Sequence, residues 1–382
     1  MTADVDLPAE VARVEPLLVA VRREVHEHPE LAFEEFRTAA LVADRCAELG
    51  HEVRSGVGRT GVLAELDSGR PGPVLLVRAD MDALPVQEAD DDRVSRSAVP
   101  GVMHACGHDG HVAVALGVVE VLSRLPTAWS GRVRMCFQPA EETDAGAAAM
   151  IADGALDGVD LAVGLHLQSG IAADTVAVGA GVQWAAADEL RITVHGVGGH
   201  AGAPEGTVDP VQVGAEIALA MREIRGEPPV SVVIAQFTAG TAANVVPSVA
   251  RLRGTARAMG AAERDALLAT VRSTCAAIAA RHGAEVAVEL GPHVPALVCD
   301  DGVTEQVRTR LRASFGERVV PGRPTTGTDD MARFLAEVPG CYFRVGTGTD
   351  TPHHHPRFDL DERALPVATL ALTEACLSIL GG

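Results

Sequence analysis

The segment MHACGHDGH, residues 103–111, concentrates side chains of the types that bind metal ions, in a chain with only 14 histidines and seven cysteines. Five of its residues carry such groups: His104, Cys106, His108, Asp109 and His111. Imidazole, thiolate and carboxylate together form the ligand set of zinc and similar transition metals. The residue types and their spacing therefore predict a metal site.

Further carboxylates and an imidazole follow predicted strands. Asp80 and Asp82 come after PVLLV, Glu141 and Glu142 after RVRMCFQPA, and His166 after DLAVGL. In open α/β sheets, ligands bind beyond the carboxyl ends of the strands, where these side chains would meet. The adjacent glutamates allow a division of roles, because one can hold a metal while the other takes a proton from the attacking water. Any one of these residues alone is more often structural, but their coincidence favours a metal site.

Apolar patterning in the first half of the chain predicts alternating helices and strands. The predicted helices cover 9–25, 34–50 and 111–125, and the predicted strands cover 61–66, 73–80, 132–139 and 160–166. The helix over 111–125 is apolar nearly all round, which is typical of a buried helix. This alternation predicts an α/β sheet covered on both faces.

From about residue 184 the pattern changes to the order βαββαβ, the ferredoxin-like split unit. The predicted strands are 188–196, 230–240, 250–259 and 284–291, and the predicted helices are 209–226 and 261–283. Helices over 303–315 and 361–379 then suggest a return to the first domain. We therefore predict an α/β domain formed by 1–184 and 296–382, with a mixed sheet flanked by helices, interrupted by an inserted domain at 185–295.

Composition disfavours several functional classes. The net charge is −20, which argues against nucleic-acid partners. All 32 cationic side chains are arginine. The absence of lysine excludes Schiff-base chemistry and Walker-type phosphate loops. The cysteines are odd in number and contain no CxxC pair, no apolar run approaches ~18 residues, and no signal-peptide pattern begins the chain. We expect a cytoplasmic protein without a membrane partner.

The segment GVGRTG, residues 56–61, fits the GxGxxG pattern of dinucleotide-binding enzymes. That fingerprint requires a strand, a turn and then a helix. Here HEVRS and GVLAEL, both strand-like, flank it, so we expect a hairpin-like turn and disfavour a nicotinamide-dependent oxidoreductase. No GxSxG segment occurs, which disfavours an α/β-hydrolase serine.

With these motifs in place, the chain resembles the M20 metallopeptidase family, in the amidohydrolase branch of hippurate hydrolases, N-acyl-amino-acid aminoacylases and auxin-conjugate hydrolases. The matching segments run in order along nearly the whole chain: HEHPELAFEE (26–35), RADMDALP (78–85), MHACGHDGH (103–111), FQPAEE (137–142), GLH (164–166), GVGGHAGAP (196–204), NVVPS (244–248), GTAR (254–257) and HHPRFDLDE (354–362).

The resemblance implies a site for two divalent metal ions, zinc, manganese or cobalt. The implied ligands, matched motif by motif, are Cys106, His108, Glu142, His166 and His354. His354 is chosen among the three consecutive histidines because HHPRF then aligns with the family's HxPxF. Glu141 would be the general base and Asp82 would orient a ligand. Asp80 falls where other relatives keep a metal histidine, and it is not a ligand in this branch.

The resemblance also assigns the inserted domain as a lid and as the surface of a homodimer. His200 of GGHA resembles the lid histidine that reaches a neighbouring subunit's site and stabilises the oxyanion, and Asn244 and Arg257 resemble lid residues near the substrate. The chain departs from the family at GTDDM, residues 327–331, where GSEDF is usual. Asp329 is one methylene shorter than that glutamate, a change that concerns pocket shape rather than metal chemistry.

The resulting expectation is a cytosolic metal-dependent amidohydrolase that cleaves the amide of an N-acyl amino acid. The alternative is a non-catalytic small-molecule or metal-binding protein on the same fold. Asp109 or His111 is expected to cap and pack the helix that follows, and His104 has no assigned role.

Overall fold

The computed structural model describes residues 6–381 and forms two compact units. The first contains the residues up to 181, 298–323 and those from 330 onward. The second contains 182–297 and 324–329. Within the described residues, every helix falls short of the length or the apolar character that crossing a bilayer requires.

The α-helices are α1 (Leu7–Glu27), α2 (Phe36–Glu48), α3 (His108–Arg124), α4 (Gly146–Ala152), α5 (Pro210–Arg222), α6 (Ala261–His282), α7 (Asp301–Phe315), α8 (Met331–Glu337) and α9 (Ala364–Leu380). The strands are β1 (Glu52–Val57), β2 (Gly61–Asp67), β3 (Val74–Asp80), β4 (Arg132–Gln138), β5 (Leu161–Gln168), β6 (Val176–Val178), β7 (Gly181–Trp184), β8 (Ala186–His195), β9 (Gly199–His200), β10 (Val230–Ala239), β11 (Val245–Val246), β12 (Val249–Ala258), β13 (Glu285–Val294), β14 (Leu297–Cys299), β15 (Val319–Pro321) and β16 (Gly340–Gly346). Short 3₁₀ turns cover Glu141–Thr143 and Gly316–Arg318.

The first unit contains an eight-stranded mixed sheet in the order β1-β2-β4-β3-β5-β16-β6-β15. Strands β4, β3, β5 and β16 are parallel neighbours, whereas β2 is antiparallel to both β1 and β4. Strand β3 is buried throughout, and α3 is buried along nearly its whole length, as its apolar pattern predicts. Helix α3 packs against both α1 and α9, and these helices share one core cluster with the sheet. The predicted α/β class is confirmed.

The segment GVGRTG forms the turn of the antiparallel hairpin between β1 and β2, as expected. Gly58 and Arg59 reverse the chain there with φ of 60° and 83°. Because a strand and not a helix follows the turn, the segment lacks the geometry of a dinucleotide fingerprint.

The second unit contains a four-stranded antiparallel sheet in the order β10-β12-β8-β13. Helices α5 and α6 pack against it around a separate apolar core that includes Leu190, Ile217 and Val271. The chain order of these elements is the predicted βαββαβ. A two-stranded ribbon of β9 and β11 is added to this plan.

Candidate metal centre

The predicted ligands gather where parallel strands of the first unit end. Strand β3 ends at Asp80, β4 ends three residues before Glu141, and β5 carries His166 close to its last residue. Since β4, β3 and β5 run parallel, their carboxyl ends meet at one edge of the sheet. The N-terminal end of α3 lies at the same edge of the sheet, where Cys106 and His108 flank Gly107. Gly107 has φ of 88°, a left-handed conformation that favours glycine.

The ligand atoms approach one another closely enough to share metal ions. The Sγ of Cys106 lies 3.7 Å from Nε2 of His166. The Nε2 of His354 lies 3.3 Å from Oε2 of Glu142. Ligand atoms lie within 4.8 Å of one another in each of three overlapping groups: Cys106–His108–His166, Cys106–Glu142–His354 and His108–Glu141–Glu142. The structure therefore brings together all five predicted ligands and the predicted base.

Hydrogen bonds at the far side of the imidazole rings leave the inward nitrogens available. The Nδ1–H of His108 donates to the Asp82 carbonyl at 2.9 Å, and that of His166 donates to the Leu167 carbonyl at 2.9 Å. Within the described residues, the buried Nε2 of His108 and Oε1 of Glu142 have no hydrogen-bond partner. Leaving such groups unsatisfied costs about 1–3 kcal/mol each, and a divalent cation would satisfy both. The donor set fits a metal ion.

The charge around these atoms is strongly negative. Burial lowers the pKa of His108, but the carboxylates of Asp80 and Asp82 outweigh burial and raise that pKa to about 10. Burial raises the pKa of the Cys106 thiol well above its ordinary value, and the Glu142 carboxylate raises it further. The same negative surroundings favour a divalent cation, which would displace both protons when it binds.

Asp82 fixes the backbone of the two adjacent glutamates. Its Oδ1 accepts the N–H of Glu141 at 3.0 Å, and its Oδ2 accepts the N–H of Glu142 at 3.1 Å. The 3₁₀ turn that begins at Glu141 is bounded by Ala140 and Asp144, which have φ of 53° and 56°. A residue other than glycine in the left-handed region of φ carries a strain of about 1–2 kcal/mol. The turn therefore depends on hydrogen bonds such as those to Asp82.

Asp80 and His111 are occupied by partners of their own. Asp80 accepts from Nη1 of Arg78 at 2.6 Å and from Nδ1 of His111. The Nε2 of His111 accepts the N–H of Leu167 at 2.8 Å. Both nitrogens of His111 are therefore used in holding β3, α3 and β5 together. Burial raises the pKa of Asp80, but the Arg78 guanidinium and the His108 and His111 imidazoles together outweigh burial and hold that pKa well below its usual range.

The expectation that Asp109 or His111 caps α3 is only partly right. The N-cap position is Gly107, which has no side chain with which to cap the helix. One oxygen of Asp109 does accept the N–H of Gly110 at 2.9 Å in the first turn. Its other oxygen accepts from Nε of Arg22 at 2.9 Å and from Nδ1 of His26 at 2.7 Å, because it faces α1. His111 instead bonds Asp80 and β5, as described above.

His26 sits between two carboxylates, since its Nε2 also lies 2.9 Å from Oε1 of Glu88. Burial lowers the pKa of His26 and Arg22 lowers it further, but the hydrogen bonds to Asp109 and Glu88 outweigh both and raise that pKa above 6.5. The ring of His104 lies 6.4 Å from that of His26, centroid to centroid. Both nitrogens of His104 are buried without a partner in residues 6–381, and burial lowers its pKa to about 3. His104 remains without a role.

The three consecutive histidines differ in their surroundings. The Nε2 of His353 accepts the N–H of Ser169 at 3.2 Å, and its ring contacts that of Phe358. His354 has φ of 64°, and its backbone N–H donates to the Ala105 carbonyl at 2.8 Å, beside Cys106. Its Nε2 is the one that faces Glu142.

The remaining predicted residues belong to the second unit. His200 lies in β9 and is exposed, and Asn244 lies beside it, since the N–H of Ala201 donates to the Asn244 carbonyl at 3.0 Å. Both line a groove of about 620 Å³. Arg257 lies in β12, and its Nη1 donates to the Thr326 carbonyl at 3.0 Å and to the Thr328 hydroxyl at 3.3 Å.

Sequence reasoning missed two residues next to the metal centre, Glu35 and Thr60. The buried carboxylate of Glu35 accepts the N–H of Ala140 at 2.9 Å and the Thr60 hydroxyl. Glu35 stands within the HEHPELAFEE segment, but a glutamate ahead of a helix is ordinarily solvated. Only its burial, visible in the structure, distinguishes it.

Comparison with known proteins places this centre in a family. The model of Peptidase family M20/M25/M40 matches residues 76–378. The chain is 38% identical over 379 residues to a protein named thermostable carboxypeptidase 2 from Saccharolobus solfataricus, covering 96% of each chain. It is 35% identical over 369 residues to N-acetylcysteine deacetylase from Bacillus subtilis, covering 95% of this chain and 97% of that protein.

A solved structure from Bacillus subtilis, described as a dinuclear metal binding peptidase of the M20 family, superposes with a TM-score of 0.86 at 32% identity. The superposition covers 97% of this chain and 99% of that one. The relatives are hydrolases, and the chain keeps metal-competent side chains at the strand ends, so the alternative of a non-catalytic binding protein is not favoured. The chain belongs to peptidase family M20/M25/M40 and is a metal-dependent amide hydrolase of that family.

Proposed function

We propose that the protein hydrolyses the amide bond of N-acyl-L-amino acids, using two divalent metal ions and Glu141 as general base. The observation that carries the proposal is the convergence of Cys106, His108 and Glu142 ligand atoms within bonding reach of shared ions, with Glu141 alongside. The relative named for N-acetylcysteine deacetylation supports this substrate class. The proposed metal ligands are Cys106, His108, Glu142, His166 and His354.

Zinc, manganese or cobalt ions bound by these ligands would lower the pKa of a held water toward 7 and polarise the scissile carbonyl. The chain's own groups supply the remaining chemistry. Glu141 takes the proton of the attacking water and returns it to the leaving amine. Asp82 fixes the positions of Glu141 and Glu142 by accepting their backbone N–H groups.

The second unit is proposed to act as a lid and as the surface of a homodimer, with His200 completing the partner's site. The Nδ1 of His200 accepts the N–H of Gly202 at 2.9 Å, which leaves the ring proton of a neutral imidazole on Nε2. A donor of this kind aimed at the developing oxyanion contributes about 3 kcal/mol in comparable sites. Asn244 and Arg257 are proposed to contact the substrate, and the protein is proposed to act in the cytoplasm.

Two matched variants test this assignment. Glu141→Gln removes the base and keeps the size of the side chain, so we expect kcat to fall by about 100- to 10,000-fold, to a residual rate, while the metal content stays at two ions per chain. Glu142→Gln is the control, since it replaces a proposed ligand and should release metal. Both quantities are measured, by amine release and by elemental analysis of the dialysed protein. Loss of metal from Glu141→Gln would contradict the division of roles.

A further inference from the structure

The buried side chain of Glu35 joins the loop before α2 to the strand end that carries the proposed base. Its Oε1 accepts the N–H groups of Phe33 and Ala140, both at 2.9 Å. Its Oε2 accepts the Thr60 hydroxyl. Burial raises the pKa of Glu35, and the hydrogen bonds from the Thr60 hydroxyl and the Ala140 N–H oppose the rise. The carboxylate thus serves three donors from three separate segments of the first unit.

The bond to Ala140 matters because this residue directly precedes Glu141. Ala140 is left-handed, with φ of 53° and ψ of 39°, a conformation in which an alanine needs support from its surroundings. Its N–H is held by Glu35. Its carbonyl accepts the Thr143 hydroxyl at 3.1 Å and the N–H of Gly146 at 3.2 Å. Both polar groups of Ala140 are therefore fixed, and with them the direction in which the chain enters Glu141.

Thr60 presents its hydroxyl from a turn that is hydrogen-bonded to and packed against its surroundings. It belongs to the GVGRTG hairpin, whose Gly58 N–H donates to Oδ2 of Asp153 at 2.7 Å. A Cβ added at Gly58 would lie 2.7 Å from the backbone nitrogen of Met150, so the turn lies directly against α4. The hairpin lacks the geometry of a dinucleotide-binding turn. Its role is instead to place the Thr60 hydroxyl where Glu35 accepts it.

We propose that Glu35, held by Thr60, is a positioning residue for catalysis, which fixes Ala140 and thereby aims the carboxylate of Glu141. The inference rests on the proposed role of Glu141 as general base. Asp82 holds the N–H groups of Glu141 and Glu142 and not that of Ala140. The two carboxylates therefore fix successive peptide units of one strained turn.

The chemistry of the three donors distinguishes the possible variants. Glu35→Gln keeps every bond, because the glutamine oxygen can accept the two backbone N–H groups and the glutamine NH₂ can donate to the Thr60 oxygen. Thr60 is then the acceptor of that bond instead of its donor. Glu35→Ala removes every acceptor. Thr60→Ser keeps the hydroxyl, and Thr60→Val removes it at nearly the same volume.

The test is steady-state hydrolysis of an N-acetyl-L-amino acid by the metal-loaded variants, with metal content measured in parallel. We expect Glu35→Ala to lower kcat by about 10- to 100-fold, with KM and the two bound ions little changed. Glu35→Gln and Thr60→Ser should stay within about twofold of the wild type, and Thr60→Val should lose at least about threefold in kcat. Equal losses in Glu35→Gln and Glu35→Ala would overturn the proposal.

A double-mutant cycle separates positioning from general damage to the fold. In a Glu141→Ala background no base remains to be aimed, so Glu35→Ala should leave the residual rate unchanged. An equal fold-loss in both backgrounds would overturn the inference. If Glu35→Ala does not fold, Thr60→Val and Thr60→Ser give the same comparison in both backgrounds. A wild-type enzyme that releases no amine would refute the proposed function itself, which is a different result.

Discussion

Replacement of Asp82 by asparagine removes one acceptor from a carboxylate whose two oxygens hold two backbone amides. The N–H groups of Glu141 and Glu142 lie 3.0 and 3.1 Å from these oxygens, and Asp82 is buried. Asparagine has almost the same shape but offers one oxygen and one NH₂ group. Either orientation places that NH₂ against a backbone N–H, and neither group can become an acceptor.

The magnitude follows from the hydrogen bonds that are lost. One buried N–H left unsatisfied costs about 1–3 kcal/mol, and exchanging a charged acceptor for a neutral one weakens the other bond by about 1 kcal/mol. The free energy of unfolding should therefore fall by roughly 2–4 kcal/mol. The backbone N–H that loses its acceptor would turn away from the asparagine NH₂ and displace Glu141 or Glu142. A displacement near 1 Å costs on the order of 100-fold in kcat.

Urea unfolding of the metal-depleted protein measures the change in the free energy of unfolding. Steady-state kinetics with metal restored measure the change in kcat. Asp153→Asn is the matched control, since Oδ2 of Asp153 accepts one backbone N–H, that of Gly58, and the amide oxygen of asparagine can replace it. We expect little change in that variant. Wild-type stability together with wild-type kcat in Asp82→Asn would refute the reasoning.

Three further predictions concern other parts of the molecule. Coexpressed Glu141→Gln and His200→Ala chains, each inactive alone, should regain about a quarter of wild-type activity if His200 acts in the partner's site of a homodimer. Half of the dimers would then contain one chain of each kind, and each of these would carry one intact site. No recovery of activity would exclude action between subunits. The pKa of His26 is raised above its ordinary 6.5 in the folded protein, so its stabilising contribution is complete below pH 6.5 and disappears as the pH rises through the raised value. The difference in unfolding free energy between wild type and His26→Gln should therefore shrink toward alkaline pH, and a difference that grows would contradict the assignment. Gly107→Ala forces alanine to φ of 88° between two proposed ligands, and should cost about 1–2 kcal/mol of stability and weaken metal binding, whereas Gly101→Ala, at φ of 79° with open space around it, should cost stability alone. Calorimetric metal titration of the two variants decides this, and equal metal affinity would count against it.

The regular elements and the strand-end location of the site could be predicted because each depends on local sequence. Apolar runs mark β3, β4 and β5, and residues of the metal-binding types follow them directly. Strand β16 was missed, although its segment CYFRV has the aromatic and β-branched residues typical of a strand and is buried. Its place beside β5 depends on pairing with a segment far away in the chain, and local patterning does not carry that information.

The contacts that hold the site were harder to foresee for a related reason. Asp82 reaches residues 59 and 60 positions away, and Glu35 reaches Ala140 from 105 positions away. Each of these bonds ends on a backbone N–H, which has no residue type to recognise in the sequence. The capping expectation for Asp109 was incomplete because its side-chain partners, Arg22 and His26, lie 87 and 83 positions away in α1. The roles of the individual ligands, of His200 and of Arg257 stay predictions.

The central claim is tested most directly by restoring metal to depleted enzyme. Chelated protein is titrated separately with zinc, manganese and cobalt, and amine release is followed with a panel of N-acyl-L-amino acids and dipeptides while bound metal is counted. We predict no release without metal, and release from a subset of the N-acyl-L-amino acids that rises and saturates as two ions bind per chain. Two bound ions with no release from any N-acyl-L-amino acid would contradict the proposed function.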